Sequence, residues 1–220
     1  MSFRLRACLG IAALAAVSAA AASEDWQTAF PRSNVADRSI YFQARYVDAN
    51  GAEHRQEVWR DGSRRLRRVT DDRLDLTVER DTEGEYQYRL ADRERHIIIL
   101  ADRTSLYRVG IFSDWQGLAY GLGEPRSPYE ITASSDASER SGVAPCASTT
   151  IKTGSQPASR ICWSSEWGLP ISIQTRRGDE WVTQFAITEL RVFEPADAIF
   201  QIDPGGYVEM DARAGDDLGD

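Results

Sequence analysis

The chain has 220 residues and a formal net charge of −8, with 42% hydrophobic and 10% aromatic residues. This composition suffices for one folded domain with a sizeable core, and no block of the chain is long enough to be a disordered linker. The acidic charge argues against nucleic acid as a partner, because nucleic-acid surfaces need concentrated positive charge. The densest basic run, "RRLRR" at 64–68, is interpreted as one solvated strand face.

Residues 1–22 have the three parts of a secretory signal peptide. Arg4 and Arg6 form a short basic region, an apolar run follows over 9–17, and small residues offer a cleavage site after Ala22. The apolar run is too short for a spanning helix, which needs about 20 residues. An uncleaved amphipathic start is the alternative. We therefore expect cleavage of the leader and export to the periplasm.

The mature chain is predicted to be mainly β, because short alternating runs are separated by turn signals. The predicted strands include 39–47, 52–60, 64–69, 73–80, 85–92, 96–100, 129–134, 169–177 and 181–193. About ten antiparallel strands are expected to form one sheet, and open sheets of that length tend to curl. A curled sheet has a concave side, which is a natural ligand site.

The alternation is clearest in the two predicted strands at 73–80 and 85–92. One face of this pair carries six apolar side chains: Leu74, Leu76, Val78, Tyr86, Tyr88 and Leu90. The other face carries polar residues such as Asp75, Thr77 and Glu79, so we predict one dry face and one wet face. The six apolar residues are the candidate ligand-binding set. The alternative is a plain core without a ligand, because apolar residues of period two are core by default.

The middle of the chain differs from this pattern. The run "HIIIL" at 96–100 is continuously apolar and is predicted to be covered on both faces. A short helix is expected next, with Ser113 as its N-cap, Phe112 packed against a later apolar residue, and Gly121 and Gly123 closing it.

Cys146 and Cys162 are the only cysteines left once the predicted leader is removed. In an exported protein, oxidising conditions favour a disulfide between them. A turn cluster at 153–157 separates two β-prone segments, so the sulfurs are expected to face each other across a hairpin. A redox or metal-binding pair is the alternative, and the missing Cys-x-x-Cys spacing argues against it. The bridge is predicted to be structural.

Residue types suited to catalysis are few. Neither His54 nor His96 has a second histidine or cysteine at metal-site spacing, so both are interpreted as surface or strand-edge residues. The group Asp71, Asp72 and Asp75 lies in a predicted turn and offers too few oxygens for calcium. No nucleophile elbow, metal-binding helix, phosphate loop or dinucleotide fingerprint occurs. We expect no enzyme activity, no catalytic residue, no metal and no cofactor.

The last third of the chain suggests a family. A cysteine followed by "W...WGLP", then a polar strand, then "TELRVFEPADAIFQIDPGGY" resembles the LolA-like group, which includes lipoprotein carriers of the periplasm and sensor domains of the RseB type. The residues that carry the resemblance are Gly168, Leu169, Pro170, Pro195, Phe200, Ile202, Pro204, Gly206 and Tyr207. The resemblance implies an antiparallel sheet bent into an unclosed barrel, with a few short helices on the concave side holding acyl chains or a lipidated peptide.

These observations lead to two expectations about function. The first is a non-enzymatic periplasmic carrier, in which a monomeric domain over 23–212 holds a lipid or a lipidated protein in its concave apolar face. The alternative is an envelope sensor or adaptor that binds a membrane-protein partner. In both, residues 213–220 form an acidic disordered tail.

Overall fold

The structure is a computed structural model that describes residues 25–32, 37–110, 113–133 and 139–213, with only the backbone described at 139–141. The predicted leader at 1–22, Phe112 and the tail beyond Arg213 lie outside these residues. Across the described ranges, no helix has the length and apolar character needed to cross a membrane.

Strands dominate the described chain. In chain order the elements are α1 (Trp26–Ala29), β1 (Ser39–Val47), β2 (Glu53–Asp61), β3 (Arg65–Thr70), β4 (Leu74–Arg80), β5 (Tyr86–Asp92), β6 (Ile97–Ala101), α2 (Trp115–Tyr120), β7 (Tyr129–Ala133), β8 (Glu139–Ser141), β9 (Ala144–Thr153), β10 (Ser159–Ser164), β11 (Leu169–Arg177), β12 (Glu180–Val192), a 3-10 helix (Asp197–Phe200) and β13 (Val208–Asp211). The helix α1 ends just before Pro31, which cannot continue a helix.

One sheet contains all these strands except the short β8, which pairs with β9. Its order is β13-β6-β5-β4-β3-β2-β1-β12-β11-β10-β9-β7. Two antiparallel meanders, β1 to β6 and β9 to β12, are joined through the pairing of β1 with β12. The strands β13 and β7 stand at the two ends, so the curved sheet is not closed. The predicted fold class is confirmed, with more strands than expected and one parallel pair, β6 with β13.

The main core lies on the face of the sheet that α1 and α2 cover, which we call the inner face. Trp26 and Phe30 from the first helix and Trp115 from the second pack there with strand residues such as Phe42 and Leu66. All five are at most 4% exposed. Two very short helices therefore suffice to cover much of the inner face, because their large aromatic side chains bury extensive area.

The opposite, outer face is not uniformly wet. Asp75 and Thr77, which were predicted to face solvent, are 2% and 9% exposed. The chain between β12 and β13 crosses the outer face over 193–207, a segment we call the strap. The Ile199 carbonyl accepts a hydrogen bond from Arg67 at 2.7 Å, and Ile202 packs in a second core cluster. The prediction of one wet face is therefore wrong for these two residues, which the strap covers, and right for Glu79, which is exposed.

The helix α2 begins one residue later than predicted. Its N-cap is Asp114, whose carboxylate accepts a hydrogen bond from the Gly117 N–H at 3.2 Å, so the assignment of Ser113 as the cap is wrong. The Ser113 side chain instead lies where a Cβ on residue 117 would be, which favours glycine there. Gly121 ends the helix in the left-handed conformation, with φ of 64°, as the sequence predicted.

The two cysteines form the predicted disulfide, with Cα atoms 5.2 Å apart. The pair is diagonal, because the direct cross-strand partner of Cys162 is Ser148. The turn between β9 and β10 occupies the predicted position after Thr153. The bridge thus ties β10 to the part of β9 that also pairs with β8 through Cys146.

Candidate functional site

The six candidate ligand-binding residues all lie on the inner face, and the structure divides them into two groups. Tyr86 and Tyr88 pack beneath α2, and Val78 is buried in the same core cluster. The ring of Tyr86 stacks on Trp115, with centroids 4.5 Å apart and planes at 8°. Burial raises the pKa of Tyr88 to about 12, and its hydroxyl hydrogen-bonds to the backbone of Trp115. This group is core that supports the helix.

The other three residues, Leu74, Leu76 and Leu90, line a cavity of about 320 Å³, which we call the inner-face pocket. Its remaining lining residues are Tyr46, Arg68, Thr70, Gly110 and Ser113. The volume falls at the lower end of the range that small-molecule sites occupy, roughly 300–1,000 Å³. A pocket therefore remains on the inner face where the helices do not fill it.

Strand register explains why these side chains meet. Arg68 on β3 is directly opposite Leu76 on β4, and Leu76 is directly opposite Leu90 on β5. Thr70 is opposite Leu74 in the same way. Because side chains two residues apart share a face, all five point to the inner face. The polar and apolar parts of the pocket are fixed by the same ladder of hydrogen bonds.

Arg68 is the only arginine of the pocket, and it makes no hydrogen bond or ion pair with the described residues. Burial lowers the pKa of its guanidinium, and Tyr46 is the one ionisable group that acts against this shift. The side chain is nevertheless not fully closed off from solvent, because it faces the cavity. The pocket therefore contains a positive charge without a neutralising carboxylate.

The run at 64–68 was interpreted as one solvated strand face, and this interpretation is wrong. Leu66 is fully buried and Arg65 is 6% exposed, because the inner core and the strap cover the two faces of β3. Period-two alternation would have placed Arg68 beside Leu66 on the inner face. The high local charge concealed that signal.

Two hydroxyl groups lie at the polar side of the pocket. Burial raises the pKa of Tyr46, while the positive charge of Arg68 and a side-chain hydrogen bond with Thr70 act to lower it. The Tyr46 ring also stacks on His54, with centroids 5.0 Å apart. The apolar alternation does not reveal Tyr46 and Thr70, since neither belongs to the six apolar residues that define the dry face.

The histidines and the aspartates singled out in the sequence do not line the inner-face pocket. His54 lies between Asp71 and Asp48, with Nδ1 2.6 Å from Asp71 Oδ2. Asp75 faces the outer side and pairs with Arg67 and Arg93, so the three aspartates of the predicted turn do not converge. Over the residues that the structure describes, no group of three or more His, Cys, Asp or Glu side chains is placed to hold a metal ion.

A second buried arginine lies deeper on the inner face. Arg60 is fully buried and donates from Nη1 to the Ala119 carbonyl at 2.8 Å. Tyr120 is sandwiched between Arg60 and Arg32, whose guanidinium carbons are 4.9 and 4.7 Å from its ring centroid. Burial lowers the pKa of Arg60 to about 10. This arginine belongs to the packing of α2, since it does not line the inner-face pocket.

Larger cavities lie elsewhere among the described residues, and two of them are next to the helices or the strap. One, of about 680 Å³, opens between α1, α2 and the 103–107 turn, and its lining is predominantly polar. The other, of about 750 Å³, lies on the outer face between the strap and β4 to β6. Neither contains Leu74, Leu76 or Leu90, so the inner-face pocket is where three of the six predicted residues line a cavity together.

No protein-family model matches the chain, and no curated protein matches it. The fold resembles the crystal structure of an uncharacterized conserved protein from Thermus thermophilus, with a TM-score of 0.54 and 6% identity over 81% of this chain and 93% of that one. Two structures of MucB align over 77% and 76% of this chain and 60% and 55% of theirs, with identities of 20% and 16% and TM-scores of 0.40 and 0.41; the second is in complex with MucA(peri). The first likeness shows a shared fold. Membership of the LolA-like group stays a prediction.

Proposed function

We propose that the chain is a non-enzymatic binding protein of the periplasm that holds the apolar chain of a lipid or of a lipidated protein on the inner face of its curved sheet. The observation that carries this proposal is the inner-face pocket, in which Leu74, Leu76 and Leu90 line about 320 Å³ of unfilled space. Natural cores leave few voids larger than a water molecule. A pocket of this size with three leucines in its wall therefore suits an apolar ligand.

The energetics of transport fit the same chemistry. Transfer of an acyl chain from water into a carrier is favourable by about 0.8 kcal/mol for each methylene that the carrier buries. Such a carrier needs a dry pocket and an export signal, and it needs no catalytic group. The leader predicted at 1–22 supports a binding role in the envelope.

Uptake of a fluorescent fatty acid by the purified exported chain tests this function. Leu90→Trp should fill the pocket and abolish uptake, while Val192→Trp serves as the matched control, because Val192 is 58% exposed on β12. Uptake that is absent in the wild type, or unchanged in Leu90→Trp, would contradict the proposal. Native mass spectrometry of protein purified from the periplasm would identify a ligand that is already bound.

A second candidate function is that of an envelope adaptor that binds a protein partner. It is favoured by β13, which ends the sheet and carries two exposed apolar side chains, Val208 at 66% and Met210 at 53%. Edge strands of this kind accept an added strand from another chain. A pull-down from envelope extract separates the candidates: a stoichiometric membrane protein that is lost in Met210→Lys favours the adaptor, and lipids without such a protein favour the carrier.

A further inference from the structure

We propose that the inner-face pocket recognises the anionic head group of a single-chain amphiphile, a carboxylate or phosphate joined to one alkyl chain, through an ion pair with Arg68. This inference deepens the proposed function and rests on it, because it assigns the chemistry of the ligand that the pocket takes. The shared chemistry is an anionic oxygen group at one end of a short apolar chain.

Arg68 differs from the other two arginines of β3 in its partners. Arg65 pairs with Asp61 at 2.9 Å and with Asp197 at 2.7 Å. Arg67 binds both carboxylate oxygens of Asp75. Among the described residues no carboxylate, carbonyl or amide oxygen accepts a hydrogen bond from Arg68. One strand thus contains two guanidinium groups that pair with carboxylates and one that pairs with none among the described residues.

An arginine without a partner lowers the free energy of unfolding. An arginine keeps its charge in a protein and has five N–H donors in a planar fork. A charge removed from water without a partner destabilises the folded chain. Replacing the unpaired charge by an apolar residue of similar volume removes this cost, so it should not destabilise the folded chain. An unpaired arginine facing a cavity is therefore expected where a ligand supplies the missing anion.

The pocket wall has a polar part and an apolar part. Tyr46 and Thr70 place hydroxyl groups on the same side as Arg68, and hydroxyls can donate to the remaining lone pairs of a carboxylate or phosphate. The leucines occupy the neighbouring strands β4 and β5, so the polarity changes from head to tail across one pocket. A free inorganic anion would leave the leucine wall unused, and a neutral lipid would leave the guanidinium unpaired.

The volume of the pocket limits the size of its ligand. At about 30 Å³ for a water-sized group, the pocket of about 320 Å³ has room for about ten non-hydrogen atoms. This matches one alkyl chain of medium length and excludes full enclosure of a lipid with several long chains. We therefore choose ten-carbon probes, which have 11 to 15 non-hydrogen atoms and so extend beyond the pocket at one end.

The test uses isothermal titration of the full exported chain with four probes: decanoate, decyl phosphate, decanol and inorganic phosphate. Because charge-assisted bidentate hydrogen bonds are strong, the tighter of the two anionic amphiphiles should bind at least about tenfold more tightly than decanol. Whichever of the two binds more tightly identifies the head group. Inorganic phosphate should not bind measurably. Equal affinity for inorganic phosphate and decyl phosphate would overturn the proposal that the ligand is an amphiphile.

Arg68→Met is the central variant, because methionine has a similar length and no charge. It should lower the affinity for the preferred anionic probe at least about tenfold and leave decanol binding unchanged. The matched control is Arg45→Met, since Arg45 precedes Tyr46 on β1, faces the opposite side and is 68% exposed. Arg45→Met should bind every probe as the wild type does.

Stability provides a second readout. If Arg68 serves a ligand, the ligand-free Arg68→Met protein should be at least as resistant to urea as the wild type. A variant that is markedly less stable, or that fails to fold, would show that Arg68 is a structural residue and would overturn the inference. Arg68→Lys keeps the charge and should retain part of the preference for the anionic probe.

The outcomes separate this inference from the proposed function. If decanol and decanoate bind equally to the wild type and to Arg68→Met, the pocket takes an apolar chain, and only the assignment of the head group is wrong. If none of the ten-carbon probes binds, the inner-face pocket is not a lipid site and both proposals are wrong.

Discussion

Arg68 on β3 and Leu76 on β4 are direct cross-strand partners on the inner face of the sheet. A guanidinium without a carboxylate therefore lies beside a leucine that is 2% exposed. The strand ladder fixes this juxtaposition, so no loop rearrangement is needed to create it. This preorganised arrangement supports the proposed ligand, which is anionic at one end and apolar at the other.

The stack of Tyr86 on Trp115 attaches α2 to the sheet. Trp115→Ala should lower the free energy of unfolding by about 3–5 kcal/mol, because it leaves a large cavity beneath the helix. Urea denaturation measures the loss. Trp181→Ala is the control: Trp181 is only half-buried on β12, and its removal should cost distinctly less. Equal losses in the two variants would contradict the role of the stack.

Asp75 pairs on the outer face with Arg93 and with Arg67, which also donates a hydrogen bond to the strap. Asp75→Asn should destabilise the fold by about 3–5 kcal/mol, because it leaves positive charges without their buried partner. Asp179→Asn is the matched control, since Asp179 is fully exposed and lies 3.6 Å from Arg176. The midpoint of urea unfolding distinguishes them. A small effect of Asp75→Asn would show that the strap does not depend on this charge.

The pKa of His54 is predicted to lie above its usual value of about 6.5, since the hydrogen bond to Asp71 favours the protonated ring. Although burial acts against it, hydrogen bonds from His54 and the Arg55 N–H lower the pKa of Asp71. The stability from the raised histidine pKa is present at low pH and is lost as the pH rises through that pKa. The stability from the lowered aspartate pKa is lost as the pH falls through it. The pair is therefore strongest between the two values.

NMR titration of the imidazole in variants checks this assignment. Asp71→Asn should lower the pKa of His54 towards its usual value. Asp72→Asn removes the neighbouring carboxylate and should leave the pKa of His54 unchanged, because Asp72 makes no contact with the ring. A titration midpoint of His54 that is the same in both variants would refute the pairing.

The disulfide is predicted to act through stability. Replacing Cys146 and Cys162 together by serine should lower the free energy of unfolding by about 3 kcal/mol, the value expected for closing a loop of about 15 residues. Thermal unfolding measures the loss, and fatty-acid uptake at low temperature should persist. Loss of uptake while the fold remains intact would show that the bridge has a functional role.

Much of the sheet follows from local sequence. The strands at 39–47 and 169–177 are observed at their predicted positions, because turn residues bound clear alternating runs. The strap was not predicted, since residues 193–207 have no period and their partners lie on distant strands. The same limit applies to the pocket. Its leucines lie on the predicted dry face. Period two alone also places Arg68 on the inner face, but only the strand register shows that it lies opposite Leu76 in the pocket.

The most direct measurement of the central claim is photo-crosslinking. A decanoate analogue with a diazirine at its alkyl end is bound to the full chain without the predicted leader at 1–22. The complex is irradiated, and the crosslinked positions are located by peptide mapping. The account predicts crosslinks on β4 and β5, at Leu74, Leu76 or Leu90, and their loss when unlabelled decanoate competes. Crosslinks confined to the outer-face cavity, at Leu100 or Ile202, would contradict it.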